Sequence, residues 1–357
     1  MGIITRSIAN NIVTGGKLDG TDGLSGVISA SNIADASITN VTAFSSSLGD
    51  AIESVATDPV SPSEGQLWYN TTIGVLKVYR NIGGAWASGG NLPVGKGGMG
   101  GAGILTAALG FGGYSTAHTN TTEEYDGSAW AAGGNRSASK SGGASGGTQT
   151  AAYGAGGSPI TNLTEEYDGT SWSPGGNLGT SRYQVGIGTV GTQTAGICIG
   201  GFNQTTAITN TEEYNGSTWT AGGSLGTAVR LQAGAGIQTA ALSFGGYLTT
   251  STNTNATEEY DGAAWTAGGN LNTTRRELSG TGAQTAALAV GGNPVTGSTE
   301  EYNGSTWATG GTMVTATNDN QSAGTNTAGL TFCGSPALVT TQEYINPTIA
   351  VQKVTLT

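Results

Sequence analysis

Few side chains in this sequence could act as nucleophiles, bases or metal ligands. There is one histidine, His118, and there are two cysteines, Cys198 and Cys333. His118 stands in the polar stretch STAHTNTT, where a solvated loop residue is expected. Each cysteine ends an apolar run just before glycine, in GICIGG and LTFCG, the setting of a small buried thiol. Two cysteines also make no disulfide framework. GGASGG at 142–147 has the outline of a nucleophile elbow, yet it lacks a strand-to-helix context and a histidine base. A metal centre needs more ligands than one imidazole supplies. The expectation is therefore no catalytic residue, no cofactor and no metal.

Carboxylates are the titratable groups that recur. TEEYDGSAWAAGGN at 122–135 returns, with small changes, at 164–177, 211–224, 257–270 and 299–312. A basic residue follows most tryptophans by ten or eleven places: Lys96, Lys140, Arg182, Arg230, and Arg275 with Arg276. Glu124, Glu166, Glu213, Glu259 and Glu301 are expected to pair with these cations, Arg182, Arg230 and Arg275 above all, or with backbone amides between repeats. A solvated acidic ring and a cation-binding channel are the other readings of the same residues.

These groups must be positioned by a repeat with three landmarks. The first is Trp86, Trp130, Trp172, Trp219, Trp265 and Trp307, spaced by 44, 42, 47, 46 and 42 residues. The second is Tyr125, Tyr167, Tyr214, Tyr260, Tyr302 and, in a degenerate copy, Tyr344. The third is a small-residue apolar run closed by glycine at Gly113, Gly157, Gly201, Gly246, Gly292 and Gly334. Each unit reads as four short strands, for example within 230–236, 239–246, 255–262 and 263–269. Gly supplies 64 of 357 residues, against a usual share near 7%. With 8 Pro and no three-residue period the chain is not collagenous, and its recurring aromatics argue against disorder. Inner strands crowd an axis and take Gly and Ala, whereas outer strands have room for Tyr and Trp. An Asp-Gly or Asn-Gly turn sets Tyr opposite Trp across an antiparallel pair. The fold class is all-β, and four strands per repeat form the blade of a propeller.

The order of a Gly-Gly strand, a tyrosine and a tryptophan five residues later resembles the kelch motif over roughly residues 84–345. The wording of the repeats is also similar to repeats in virion proteins of bacteriophages, marine phages especially. Kelch propellers include a copper oxidase, whose histidine ligands one His118 does not supply. Ring closure explains the landmark counts: Trp86 lacks partners upstream and Tyr344 lacks a tryptophan downstream, so the strand around Trp86 completes the last blade. This predicts a six-bladed kelch-like β-propeller over 84–357, or seven blades if 67–80, with Tyr79, joins the ring. Residues 59–83 read as a linker and β-hairpin, and 1–58 as an extended N-terminal arm for attachment or oligomerisation. Within the arm, 45–56 places Leu48, Ile52 and Val55 at helical spacing.

The resemblance implies a phage virion structural protein, fibre- or decoration-like, held by its arm to other virion proteins as a homo-oligomer, with a trimer as the first expectation. A stand-alone carbohydrate-binding propeller is the alternative. Tyr114, Asn203 and Tyr247 follow the Gly pairs, in inserts that would meet a host-surface glycan or remain solvated loops. A net charge of −11 repels phosphate backbones, so nucleic acid is not an expected partner. No apolar run is long enough for membrane insertion, MGIITRSIANN has neither the charged start nor the apolar run expected of a signal peptide, and Arg6 stands where a myristoylation signal is expected to carry Ser or Thr. Synthesis in the host cytoplasm and residence in the virion are expected.

Overall fold

The computed structural model describes residues 53–59, 66–80, 84–346 and 350–353. Contacts divide the chain into two units, residues 83–346 and a second made from the segments on either side. Among the described residues every regular element is a β-strand. Helix is disfavoured by glycine density and by the β-branched and aromatic residues between the glycines.

The repeat unit holds six four-stranded antiparallel sheets. In one of them Ala233–Ile237, Ala240–Phe244, Thr257–Tyr260 and Trp265–Ala267 follow in order from the inside out, and this Trp265 sheet stands for the rest. The strands are shorter than the sequence segments because Gly-Gly pairs and turns take the ends. Innermost strands pack against one another in succession, Gly100–Ile104 on Ala144–Thr148 and finally Gln321–Gly324 back on Gly100–Ile104. The last sheet is completed from the start of the repeat unit: Ala85–Ser88 pairs with Thr341–Ile345, Trp86 opposite Tyr344. The arrangement is propeller-like.

Backbone hydrogen bonds close a circuit on the inner side of the sheets. Gly142 N–H donates to Gly98 O, Gln184 to Gly142, Leu231 to Gln184, Glu277 to Leu231, Asp319 to Glu277 and Gly98 to Asp319, all at 2.7–2.9 Å. Each of these residues has positive φ, between 53° and 63°. The circuit thus repeats one left-handed residue per sheet, two places before the innermost strand in every sheet but that of Trp219.

The centre is occupied by the chain itself. Residues 187–190 of GIGTVG leave the Trp219 sheet, whose innermost strand is only Gly191–Thr192, and run beside inner strands of four other sheets. Ile187 N–H donates to Gln232 O, Gly280 N–H to Ile187 O, Val190 N–H to Ser145 O, and Thr189 Oγ1 to Ser322 O at 2.7 Å. A Cβ at Gly188 would stand 2.2 Å from Gly234 O and 2.5 Å from Gly280 O, so only glycine fits here.

In the other unit, Glu53–Val55 runs parallel to Leu67–Asn70, which pairs with Val75–Arg80, which pairs with Ala350–Lys353. The hairpin at 67–80 belongs to this sheet and not to the six. Asp58 binds Trp68 Nε1, Asn70 Nδ2 and Lys77 Nζ, and these bonds, Lys77 first, hold its carboxyl down at about 2. The helix expected across 45–56 does not extend to Glu53–Val55, which is a strand: sheet pairing overrides the local spacing. Residues 1–52, which hold most of that segment and of the arm, lie outside the described residues.

Candidate functional site

The repeated phrase builds the seams between sheets. In strand Thr122–Tyr125 the first and third side chains point one way and the second and fourth the other, so Thr, Glu, Glu and Tyr have separate tasks. Each tryptophan Nε1 donates to the phrase threonine of the preceding sheet: Trp172 to Thr122, Trp219 to Thr164, Trp265 to Thr211, Trp307 to Thr257, Trp86 to Thr299 and Trp130 to Thr341, at 2.8–3.0 Å. Each tyrosine hydroxyl donates to the second glutamate of the preceding sheet: Tyr167 to Glu124, Tyr214 to Glu166, Tyr260 to Glu213 and Tyr302 to Glu259 at 2.5 Å, Tyr125 to Glu343 at 2.6 Å, and Tyr344 to Glu301. Burial, then the adjoining carboxylate, pushes Tyr125, Tyr167, Tyr214 and Tyr302 up to about 12 and raises Tyr260 and Tyr344 as well.

The aromatic landmarks meet as expected, Tyr opposite Trp with ring centroids 4.8–5.1 Å apart in every sheet. The tyrosines are buried throughout, whereas Trp172, Trp219 and Trp265 are only half-buried. Between them the Asp or Asn side chain closes the turn: Asp126 Oδ1 accepts the N–H groups of Ser128 and Ala129 at 2.8 Å, with Gly127 at φ +92°. The closing Gly pair has a packing reason, since a Cβ at Gly134 would stand 2.0 Å from the Thr170 carbonyl of the next sheet.

The ion pairs differ from the expectation and are corrected here. Glu124, Glu166, Glu213, Glu259 and Glu301 meet tyrosines, and the first glutamate meets a cation in four of the five phrases, whereas Glu258 accepts from Gly226 N–H at 2.7 Å. Lys96 binds Glu123 at 2.6 Å, Arg136 binds Glu165 at 2.8 Å, Arg182 binds Glu212, and Arg275 binds Glu300 at 2.9 Å, all buried. Adjacent strand residues face opposite sides, so the two glutamates cannot share a partner. Of the named cations, Arg182 and Arg275 make such pairs but Arg230 does not. Arg230 is one position beyond the register of Arg182, which turns it to the loop-bearing face. Lys140 donates to Pro159 O, and Arg136 takes the Glu165 pair.

Sequence reasoning also missed a glutamine. Gln149, Gln193, Gln238 and Gln284 each donate from Nε2 to two carbonyls of the preceding sheet, as Gln149 does to Ala108 O and Tyr125 O. The signal was visible: a glutamine two residues before the second strand in four repeats.

Compared with known proteins, the chain matches no family model and no curated sequence.

The loop-bearing face is the part of the repeat unit that is not uniform. Just outside the backbone circuit, one residue of each crossing segment faces the residue that follows a Gly pair. These couples are Gly97–Tyr114, Ser141–Ser158, Tyr183–Phe202, Arg230–Tyr247, Arg276–Asn293 and Asn318–Ser335. Tyr183, Phe202, Arg230, Tyr247 and Arg276 make one continuous strip. Tyr183 meets Phe202 edge-on at 5.6 Å, the Arg230 guanidinium lies 4.4 Å from the Phe202 centroid and 5.3 Å from that of Tyr247, and Arg276 lies 4.7 Å from Tyr247.

Of the residues expected to recognise a ligand, Tyr247 sits inside this strip. Tyr114 is 48% exposed and leans on His118 at 5.1 Å. Asn203 closes its own loop, its Oδ1 accepting from Thr205 and Thr206 N–H. Cys198 and Cys333 are buried free thiols, and burial pushes them up to about 11 and about 12.

Proposed function

We propose that this chain is a virion structural protein, a six-bladed kelch-like propeller carried by an N-terminal arm. The arm attaches it to other virion proteins, in trimers, and the propeller presents its loops to a host surface. The observation that supports this reading most is the division of labour within the repeat. Thr, both Glu, Tyr, the turn residue, Trp and the Gly pair are all taken up by seams and turns, which leaves the variable inserts as the part free to differ. A scaffold of uniform seams beneath a non-uniform face suits display. The phage-like wording of the repeats supports the same setting.

The test compares the full chain with one starting at Gln66 for incorporation into particles. Display by the arm predicts incorporation of the full chain alone. Equal incorporation would remove the anchoring role and favour a free carbohydrate-binding propeller.

A further inference from the structure

The positions that carry the strip are fillable by small residues, as the other half of the same face demonstrates. Gly97, Ser141 and Asn318 occupy in their sheets the place that Tyr183, Arg230 and Arg276 occupy in theirs. The ring of sheets forms with glycine or serine there, so packing does not require an arginine. Arg136, Arg182 and Arg275 are buried in ion pairs, whereas Arg230 and Arg276 are the guanidiniums of the repeat unit that reach solvent. Both flank Tyr247.

Arg230 is held without being consumed. Both Phe202 and Tyr247 lie against its guanidinium, and Nη1 donates to Gln184 Oε1 at 3.0 Å. A guanidinium has five N–H donors, and the remaining ones of Arg230 meet no protein acceptor and are not sealed from solvent. Contact with two rings reduces the side-chain entropy that a free arginine loses on binding, and the N–H groups left unbonded are available to a planar, two-oxygen anion. Arg276 is further occupied, donating Nη1 to Asn253 Oδ1 at 2.9 Å and Nε to Glu277 Oε1 at 3.2 Å. Around the strip the exposed loop residues are uncharged hydroxyl and amide carriers, Thr205 and Thr206 on one side and Thr249 to Thr252 on the other. One fork among hydroxyls, on a chain of net charge −11, suits a single carboxylate on a hydroxylated molecule and not a polyphosphate.

We infer that the Phe202–Arg230–Tyr247–Arg276 strip is a subsite for an acidic sugar, with Arg230 taking the carboxylate bidentately and the flanking threonines meeting ring hydroxyls. This rests on the display reading above and names the class of surface molecule displayed to.

The test uses the full-length protein with three carboxylated probes, an oligogalacturonate, an oligoglucuronate and a sialylated lactose, and with the methyl ester of each, by calorimetric titration. At least one acid is expected to bind, its ester about 10- to 100-fold more weakly. Arg230→Gln is expected to show the same loss, Arg230→Lys an intermediate one, and Lys140→Gln none. Circular dichroism melts of each variant establish that it is folded, and Arg230→Lys keeps a cation between the rings if Arg230→Gln unfolds. Equal binding of acid and ester, unchanged binding by folded Arg230 variants, or no binding of any acid would overturn the subsite. Particle incorporation is measured on the same variants. Loss of sugar binding with normal incorporation supports the subsite, while failure of the wild-type chain to incorporate overturns only the display reading.

Discussion

The hydroxyl of Tyr125, in the first complete sheet, donates at 2.6 Å to the carboxylate of Glu343, in the sheet completed by both ends of the repeat region and 218 residues away. It is the same bond that Tyr214 makes to Glu166 between sheets that are neighbours in sequence. Tyr125→Phe and Tyr214→Phe should therefore cost alike, about 1–3 kcal/mol each, because either leaves a partly buried carboxylate without its donor. Chemical denaturation measures both. A neutral Tyr125→Phe beside a costly Tyr214→Phe would mean that the circuit is open at that seam.

Alkali should unlatch the seams together. A tyrosine whose folded value is raised stabilises the fold fully below its unfolded value near 10, and that contribution disappears as pH rises through the folded value. Tyr125, Tyr167, Tyr214 and Tyr302 are pushed to about 12. Thermal stability should hold to about pH 10 and fall between pH 10 and 12. Phenolate absorbance followed across that range checks it, and titration of these phenols near pH 10 with no loss of fold contradicts it.

Much of this arrangement is legible in the sequence. Trp86 and Tyr344 could be joined because each lacked a partner in its own stretch of chain, and the structure sets them opposite one another. The glutamates were harder, because two identical neighbours in TEEY face opposite ways and spacing alone does not say which meets a cation. Arg136 was hidden for the same reason, since it reaches Glu165 from the place where the other crossing segments carry leucine or methionine. The filling of the centre by 187–190 was not legible at all: GIGTVG has the composition of an inner strand, and only the contacts of Gly188 separate the two. On the loop-bearing face, one residue of register turned Arg230 from an expected seam cation into part of the strip.

Asp319 is pushed up to about 7, first by burial and then by Glu277 beside it. A carboxyl raised in the fold opposes folding wherever the unfolded chain ionises, so its penalty is small up to about pH 4, grows as pH rises to about 7 and is constant above that. Asp319→Asn, which also tolerates the positive φ of 54° at this position, should raise the melting temperature at pH 8 and leave it unchanged at pH 4. Equal shifts at the two pH values would show that the carboxyl is not responsible.

Trp219 packs on Tyr214 and Tyr153 and donates to Thr164, although it is only half-buried. Trp219→Ala should cost about 3 kcal/mol, the low end for a truncated tryptophan, and His118→Ala within about 0.5 kcal/mol of zero. Comparable denaturation midpoints for the two variants would refute the seam assignment.

The proposed place of the chain in a particle is tested by mass spectrometry of gradient-purified virions from the source. Peptides from both the arm and the repeat unit are expected, at a fixed copy ratio to the major structural proteins and retained after high-salt washing. Their absence from particles, with the protein recovered free in the lysate, would contradict it.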